Sequence, residues 1–250
     1  VVQMTTQPYV LIVVPSLPVS SVRELIAHAK ANPSGLNYAS SGKGTASHMG
    51  MELFKSMTGA DLSHVPYKGS AIELTEMMGG LMHSTCAAAP TVSSFVQSGK
   101  VRSLGISLAK RSVLTPDIPT IAVAGLPGFE AESIYGLWVP AKTPSAIVNR
   151  LNQEIVRALH QPEIKDRVAN FAMEVVGSTP EFFAEKIKGE VARMGRLVRE
   201  VGMDWMSQDL AARLSALCWL VTAWIPSKVS VAGWAKCFPA QPITNKTFLM

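Results

Sequence analysis

The stretch that decides the fold is Asn37-Tyr38-Ala39-Ser40-Ser41-Gly42-Lys43-Gly44-Thr45-Ala46-Ser47-His48. It begins as a strand, continues as a loop of small residues and ends at the start of a helix. A second strand follows and ends at His64-Val65-Pro66-Tyr67-Lys68-Gly69. A loop of this composition at a helix N-terminus presents unpaired N–H groups and the positive end of the helix dipole, which suit an anion such as a carboxylate. The stretch therefore predicts a strand–loop–helix unit with an anion site.

Strands and helices alternate on both sides of this unit. Short β-prone runs predict strands at 9–14, 36–40, 62–65, 82–88, 102–108 and 134–139. Apolar residues at helical spacing predict helices within 49–57 and 92–97. Further helix starts are predicted at two capping boxes, Ser21 with Glu24 and Ser70 with Glu73, and at Thr143-Pro144, Gln161-Pro162 and Thr179-Pro180. Alternation with short connections indicates an α/β sheet.

The composition excludes several classes of protein. The 250 residues are 48% hydrophobic and 16% charged, which is typical of a globular chain. The net charge of +5 comes from scattered basic residues without interleaved aromatics, so we expect no nucleic-acid partner. No apolar run reaches the roughly 18 residues of a membrane span, and no signal peptide is expected within this chain.

Cysteine and histidine spacing predicts neither a metal site nor a disulfide framework. Cys86, Cys218 and Cys237 are an odd number and show no metal-ligand spacing. Cys86 lies in an apolar strand and is expected in the core. His28 and His160 have no partner at catalytic or metal-ligand spacing.

The character of the sequence changes after Met203. Residues 206–250 hold three of the five tryptophans and two of the three cysteines, with weak helical periodicity. We therefore interpret residues 204–250 as an atypical tail, and a non-native extension is one hypothesis for it.

A set of motifs spread over residues 9–203 resembles one known family. They are Leu36-Asn37-Tyr38-Ala39-Ser40 with Gly42-Lys43-Gly44-Thr45 and His48; His64-Val65-Pro66-Tyr67-Lys68-Gly69; Gly79-Gly80; Ser98-Gly99-Lys100-Val101-Arg102-Ser103-Leu104; Arg111; Asp117-Ile118-Pro119-Thr120; Gly125-Leu126-Pro127-Gly128-Phe129; Gly136-Leu137-Trp138-Val139-Pro140-Ala141 with Thr143-Pro144; and Gly177-Ser178-Thr179-Pro180. The chain resembles the Bug-type extracytoplasmic solute receptors, the substrate-binding proteins of tripartite tricarboxylate transporters.

The resemblance implies a fold and a domain division. The family has the type II periplasmic-binding-protein fold, in which two α/β lobes close on a ligand in the cleft between them. Residues 14–123 would form the second lobe, and residues 1–13 with 124–203 would form part of the first. Family members begin with a further segment that carries a proline-glycine-glycine loop and completes the first lobe. The resemblance therefore implies an N-terminally truncated chain with an incomplete first lobe.

The resemblance also implies a function. We expect a non-catalytic, periplasmic receptor that captures a small carboxylate without a cofactor or metal and delivers it to the membrane permease of a tripartite transporter. The residues expected at the ligand are Ser40, Ser41, Gly42, Gly44, Thr45, His48, Tyr67 and His83. His83 is placed where family members often carry an acidic residue.

Simpler structural interpretations stay open for these residues. The loop can be an ordinary helix N-cap with a flexible turn, and His48 can be a structural histidine that hydrogen-bonds the loop. Two catalytic alternatives are weaker. Gly42-Lys43-Gly44-Thr45 resembles the phosphate loop of a nucleotide-binding enzyme, but Asn37 stands where that loop needs a glycine. A hydrolase built on Ser41 and His48 lacks a Gly-x-Ser-x-Gly turn and an acidic partner.

Overall fold

The computed structural model describes residues 1–112, 115 and 117–202. Within them the elements follow in the order β1 (Val2–Val13), α1 (Val22–Ala31), β2 (Asn37–Ser40), α2 (Ala46–Thr58), β3 (Ser63–Pro66), α3 (Ser70–Met78), β4 (Ser84–Ala88), α4 (Ala89–Gln97), β5 (Arg102–Ile106), α5 (Ile121–Ala124), β6 (Glu132–Leu137), α6 (Ser145–Leu159), α7 (Pro162–Asn170), β7 (Glu174–Val175) and α8 (Pro180–Glu200). The predicted tail at 204–250 lies outside the described residues.

The twelve-residue strand β1 takes part in two groups of strands. Residues 9–13 pair antiparallel with β4, and residues 10–13 pair with β5. Residues 2–8 pair with β6, and Thr5 and Thr6 also pair with β7. The sequence predicted a strand only at 9–14, because the first eight residues look too polar for a buried strand. Gln3, Thr5 and Thr6 are nevertheless buried: all three pair with β6, and Thr5 and Thr6 pair with β7 on the other side.

The parallel part of the sheet positions the glycine loop. The strand order is β3-β2-β4-β1-β5, and β2 runs parallel to both β3 and β4. The carboxyl ends of these strands therefore meet at one edge, where the loop at 41–45 follows β2 and Tyr67 follows β3. Crevices outside the carboxyl ends of parallel strands are the usual ligand-binding places of α/β sheets.

Helices pack apolar faces onto the sheet around one hydrophobic core. Phe54 of α2 and Leu25 of α1 are fully buried, as the helical spacing predicts, and Met51 and Met77, which that spacing did not single out, are buried with them. Met57, which the spacing placed on the apolar face of α2, is exposed. Cys86 is buried in β4, which confirms its predicted place in the core. Each large buried side chain of this kind contributes about 1.5–3 kcal/mol to the free energy of folding.

The helix starts follow the sequence in part. Ser21 caps α1 and Thr179 caps α8, each accepting the N–H three residues on, as predicted. The capping box at Ser70 and Glu73 is wrong: Gly69 is the N-cap of α3, and Glu73 turns into the core to accept a hydrogen bond from Thr85. The predicted cap at Thr143 is also wrong, because Thr143 donates to the carbonyl of Pro140 and the N-cap of α6 is Pro144.

None of the helices in the described part of the chain is both long and apolar enough to cross a membrane.

Candidate functional site: the loop before helix α2

Two glycines give the loop its shape. Gly42 has a φ of 141° and Gly44 a φ of 74°, both in the region that residues with side chains rarely adopt. Between them and the helix, Thr45 is the N-cap residue of α2 with extended backbone. Its hydroxyl donates to the carbonyl of Gly42 over 2.7 Å and makes no cap bond to the helix. The first-turn N–H groups of α2 therefore receive no acceptor from the N-cap side chain.

Four N–H groups of the loop are used by acceptors in the loop and in the first turn of α2. The Ser41 N–H donates to the hydroxyl of Ser47, at 3.1 Å, and the Thr45 N–H to the carbonyl of Gly42, at 3.3 Å. The Gly42 N–H donates to the hydroxyl of Ser40 and the Gly44 N–H to Nδ1 of His48, at 3.3 and 3.0 Å. The donors that remain at this edge include the amides of Ala46, Ser47 and His48, which the geometry of a helix leaves without an intrahelical partner.

Hydroxyl groups line the same edge. The Ser41 and Ser47 hydroxyls lie 3.0 Å apart, and the Thr45 hydroxyl lies 3.1 Å from that of Ser47. Ser41 and Thr45 are half-buried, so these oxygens border the solvent side of the loop. Hydroxyls adjust as donors or acceptors to whatever approaches them. The edge thus combines amide donors, hydroxyls and the positive end of a helix dipole, the combination that binds an anion.

Three aromatic rings from three different elements stack beneath the loop. The His48 ring of α2 lies 3.9 Å from the His64 ring of β3, at an interplanar angle of 17°. The His64 ring lies 4.8 Å from that of Tyr38 in β2. His64 also brings its Nε2 within 2.7 Å of the Ser40 hydroxyl. The stack ties β2, β3 and α2 together directly below the loop.

Glu52 neutralises part of the charge around this stack. Its carboxylate accepts hydrogen bonds from the Tyr38 hydroxyl and, at 2.9 Å, from Lys55, and it lies 3.9 Å from Nε2 of His48. Burial lowers the pKa of His48 against the opposing pull of Glu52. Burial, followed by the neighbouring His48, lowers the pKa of His64 to about 4. Both rings are therefore neutral at pH 7, and the carboxylate of Glu52 is paired with Lys55 rather than with a histidine.

Residues 1–203 match the family model described as the tripartite tricarboxylate transporter family receptor. The chain belongs to this receptor family. Its relatives include BugT of Bordetella pertussis, 33% identical over 195 residues, which are 78% of this chain and 60% of that protein. The UPF0065 protein in the tcbD-tcbE intergenic region of Pseudomonas sp. strain P51 is 32% identical over 205 residues, which are 82% of this chain and 61% of that protein.

Solved structures of the receptor family share the fold. The structure of R. palustris Rpa4515 with adipate is 34% identical with a TM-score of 0.69, and the match covers 81% of this chain and 68% of that one. MatC from Rhodopseudomonas palustris with bound malate is 27% identical with a TM-score of 0.66, over 79% of this chain and 68% of that one. These likenesses confirm the predicted α/β periplasmic-binding-protein fold. The chain spans about three-fifths of the length of the curated relatives named above.

The structure brings seven of the eight predicted site residues together. Ser40, Ser41, Gly42, Gly44, Thr45 and His48 belong to the loop or its support, and the Tyr67 N–H donates to the carbonyl of Ser40 over 2.8 Å. Tyr67 is half-buried, and burial raises the pKa of its hydroxyl. His48 is only 4% exposed and lies below the loop rather than at its open edge.

His83 lies elsewhere. Its Nδ1 accepts the N–H of Asn37 over 2.9 Å, and its own N–H donates to the carbonyl of Asn37. Asn37 is the first residue of β2, whereas the loop follows the last. The structure therefore places His83 at the opposite end of the strands from the other seven residues.

Sequence reasoning missed three residues of the support, namely Tyr38, Glu52 and His64. The i, i+4 spacing of His48 and Glu52 on one helix was a usable signal. Tyr38 and His64 become neighbours only through the parallel register of β2 and β3, in which they stand opposite each other. The sequence of either strand alone does not determine that register.

The catalytic alternatives find no support in this geometry. A phosphate loop binds through its own N–H groups, yet those of Gly42 and Gly44 are taken by Ser40 and His48. In the hydrolase alternative, the Ser41 hydroxyl contacts those of Ser47 and Thr45, while Nδ1 of His48 accepts the Gly44 N–H. Ser40 and His64 do have the spacing of a nucleophile and its base, but Ser40 is fully buried and out of reach of a substrate. In the described ranges, no group of three or more His, Cys, Asp or Glu residues is placed to hold a metal ion.

Proposed function

We propose that this chain is the carboxylate-binding part of a periplasmic solute receptor that delivers its ligand to the permease of a tripartite tricarboxylate transporter. The observation that carries the proposal is the N-terminus of α2, whose first-turn amides receive no side-chain cap and open beside the hydroxyls of Ser41, Thr45 and Ser47. Membership of the receptor family supports the same function. We propose no catalytic role, because capture needs only donors, shape and a hinge.

The proposed binding mode follows from the available donors. One carboxylate of the ligand accepts the N–H groups of Ala46, Ser47 and His48, and the hydroxyls of Ser41 and Thr45 turn toward its second oxygen. Hydrogen bonds to a charged group are worth about 1.5–3 kcal/mol each, and the helix dipole adds roughly 0.3–1 kcal/mol. The exposed Lys43 adds positive charge at the rim. Because relatives are solved with adipate and with malate, we propose small dicarboxylates as the ligand class.

The proposed lobes meet within β1. Residues 9–13 of β1 hydrogen-bond with β4 and β5, and residues 2–8 with β6 and β7. We therefore propose a boundary near Pro8 and Tyr9, five residues earlier than the sequence suggests, with the second crossing in the segment between Ser107 and Ala131. Ser107 links both crossings: its hydroxyl accepts the Tyr9 N–H at 2.9 Å and donates to the carbonyl of Ala131. A hinge at these two crossings would let the lobes close on a ligand.

The test removes one N–H donor from the proposed site and keeps helix α2 folded. Ala46 is the first residue of α2, a position where proline fits a helix because its missing N–H has no intrahelical partner. Thr45 already has the extended backbone that precedes a proline, with a ψ of 164°. Ala46→Pro therefore deletes one donor from the proposed cradle and leaves the helix start intact.

The measurement is titration calorimetry of wild type and Ala46→Pro with a panel of monocarboxylates and dicarboxylates that includes adipate and malate. We expect Ala46→Pro to lower the affinity for the best-bound member about tenfold or more, with an unchanged melting temperature. Ser145→Pro makes the same change at the exposed start of α6 and should bind as wild type. Equal affinities of wild type and Ala46→Pro would contradict the binding mode, and a wild type that binds no carboxylate would contradict the function.

A further inference from the structure

His48 holds the loop from below through one hydrogen bond. Its Nδ1 accepts the N–H of Gly44 over 3.0 Å, and its ring is almost fully buried against that of His64. An acceptor at Nδ1 requires the neutral ring with its proton on Nε2, the nitrogen that faces Glu52 at 3.9 Å. The hydrogen bond therefore exists in one protonation state of His48 and is lost in the other.

The backbone conformation of Gly44 determines how the loop enters helix α2. With a φ of 74° it turns the chain from the loop into Thr45 and the first turn of α2. The Gly44 amide stands one residue before the N-cap, so its direction sets the entry of the chain into the helix. A side chain that fixes this amide fixes the position of the amides of Ala46, Ser47 and His48 as well.

We propose that His48 is a positioning residue of the anion loop, which holds Gly44 while its Nδ1 is unprotonated and releases the loop when Nδ1 takes up a proton. A protonated Nδ1 would point an N–H at the N–H of Gly44, two donors without an acceptor. The loop must then reorient, and the cradle loses its shape. The consequence for ligand binding rests on the proposed function, but the release of Gly44 does not.

Within the described residues, charged or titratable groups face His48 from its own helix, from the loop and from two strands. Glu52 and Lys55 share its helix, Lys43 stands in the loop, His64 stacks on it from β3, and Tyr38 faces it from β2 at 6.3 Å between ring centroids. Glu52 favours the protonated ring; burial and the two lysines oppose it. The pKa of His64 is lowered to about 4, so the His64 ring stays neutral until the pH approaches that value.

Two substitutions at His48 distinguish the effect of the hydrogen bond to Gly44 from the effect of protonating the ring. His48→Asn keeps an acceptor, Oδ1, at the same number of bonds from the backbone as Nδ1, but it does not titrate. His48→Leu removes both the acceptor and the titration. His160→Asn is the matched control, since His160 is exposed on α6 and contacts the carbonyl of its own helix at Val156.

The first readout needs no ligand. In the ¹⁵N-labelled protein, nuclear magnetic resonance follows the amide exchange rate of Gly44 and the ring nitrogens of His48 as the pH is lowered from 7.5 through the titration of the His48 ring. In wild type we expect the Gly44 amide to lose protection with the same midpoint as the His48 ring, with exchange, corrected for its intrinsic pH dependence, about tenfold faster once the ring is charged. His48→Asn should keep the protection throughout, and His48→Leu should lack it throughout. A Gly44 amide that is indifferent to His48→Leu, or that titrates alike in His48→Asn, would overturn the proposal.

The second readout uses adipate and malate as probes in calorimetric titrations. We expect His48→Asn to bind within about threefold of wild type at pH 7.5 and His48→Leu to bind roughly tenfold more weakly. On acidification, wild type should lose affinity relative to His48→Asn, which corrects for titration of the probe itself. A relative gain would show that the charged ring attracts the anion directly and would overturn the positioning role. If neither probe binds any variant, the function fails while the Gly44 result still decides the inference.

Discussion

Helices α2 and α8 begin with the same residue in nearly the same backbone conformation and use it differently. Thr45 and Thr179 are both N-caps with a φ of −72° and ψ values of 164° and 160°. Thr179 accepts the N–H of Phe182 and closes its helix. Thr45 turns its hydroxyl back to the carbonyl of Gly42 and leaves the first turn of α2 without that acceptor.

The helices also differ in whether their first turn carries an acidic residue. The first turns of α1, α7 and α8 carry Glu24, Glu163 and Glu181, whose negative charge suits the positive end of a helix dipole. The first turn of α2 carries none. Helix α2 thus lacks both the cap bond and the first-turn acid that α1 and α8 have. Helices α4 and α6 lack them as well, so what sets α2 apart is the group of hydroxyls of Ser41, Thr45 and Ser47 beside its first turn. A helix N-terminus suited to an external anion therefore combines uncapped amides with neighbouring hydroxyl groups, and the missing cap alone does not identify it.

The largest expected effect comes from supplying that anion within the chain. Thr45→Asp places a carboxylate at the N-cap of α2, where aspartate is among the preferred capping residues. We expect binding of adipate and malate to fall at least a hundredfold, because like charges in one site repel by several kcal/mol, while the melting temperature is maintained. Titration calorimetry and a thermal melt measure the two effects. Thr179→Asp, the same change at α8, should leave binding intact; undiminished binding by Thr45→Asp would remove the contrast between the two helices.

The next largest effect is expected at Glu73, an acid in the first turn of α3 that is buried in the core and does not cap the helix. Burial raises the pKa of Glu73 in α3 to about 7, well above its ordinary 4.5. The protonated form is therefore the stable one in the fold, so its stabilisation is complete below pH 4.5 and is lost as the pH rises through 7. We expect Glu73→Gln to be more stable than wild type by about 2–3 kcal/mol at pH 9 and to lose that advantage at pH 4.

Urea unfolding at both pH values measures the Glu73 effect. Glu76→Gln is the matched control on the same helix, since Glu76 is partly exposed. A Glu73→Gln variant that tracks wild type at every pH would show that Glu73 is charged in the fold, as an N-terminal acid of α3 would be.

The smallest effect separates capping from binding. Thr179→Ala removes the cap of α8 and should lower the free energy of unfolding by about 1 kcal/mol without changing ligand affinity. Thr45→Ala removes no cap bond but takes a hydroxyl from the loop, so we expect weaker binding of adipate and malate. Chemical unfolding and calorimetry of both variants provide the comparison. A loss of binding in Thr179→Ala, or full binding in Thr45→Ala, would show that the two threonines have the same role.

Local patterns predicted most of the fold around the loop. The alternation of strands and helices, the start of α1 at Ser21 and the helical stripe of α2 all follow from short-range chemistry, and the structure has them within a few residues. The same pattern misled at Ser70 and Glu73, where a nearby apolar core and the hydroxyl of Thr85 outweighed a local cap. Capping boxes compete with tertiary contacts, and the sequence of the helix alone does not determine whether the acidic residue caps the helix or enters the core.

The remaining features depend on which strands become neighbours. The first half of β1 looks polar and becomes a strand only because β6 and β7 cover it. The stack of Tyr38, His64 and His48 needs the register between β2 and β3. His83 was assigned by analogy with relatives, and the pairing of β2 with β4 puts it at the far end of those strands.

The pairing of β1 has a consequence for dissecting the protein. A fragment of residues 14–123, the second lobe as the sequence delimits it, would leave β1 behind. In that fragment β5 would lose the strand to which it is paired, and β4 would keep only β2. Strand β1 supplies residues 9–13 to one proposed lobe and residues 2–8 to the other. We therefore expect the two proposed lobes to unfold together, and a fragment of either one to fold only if it includes its part of β1.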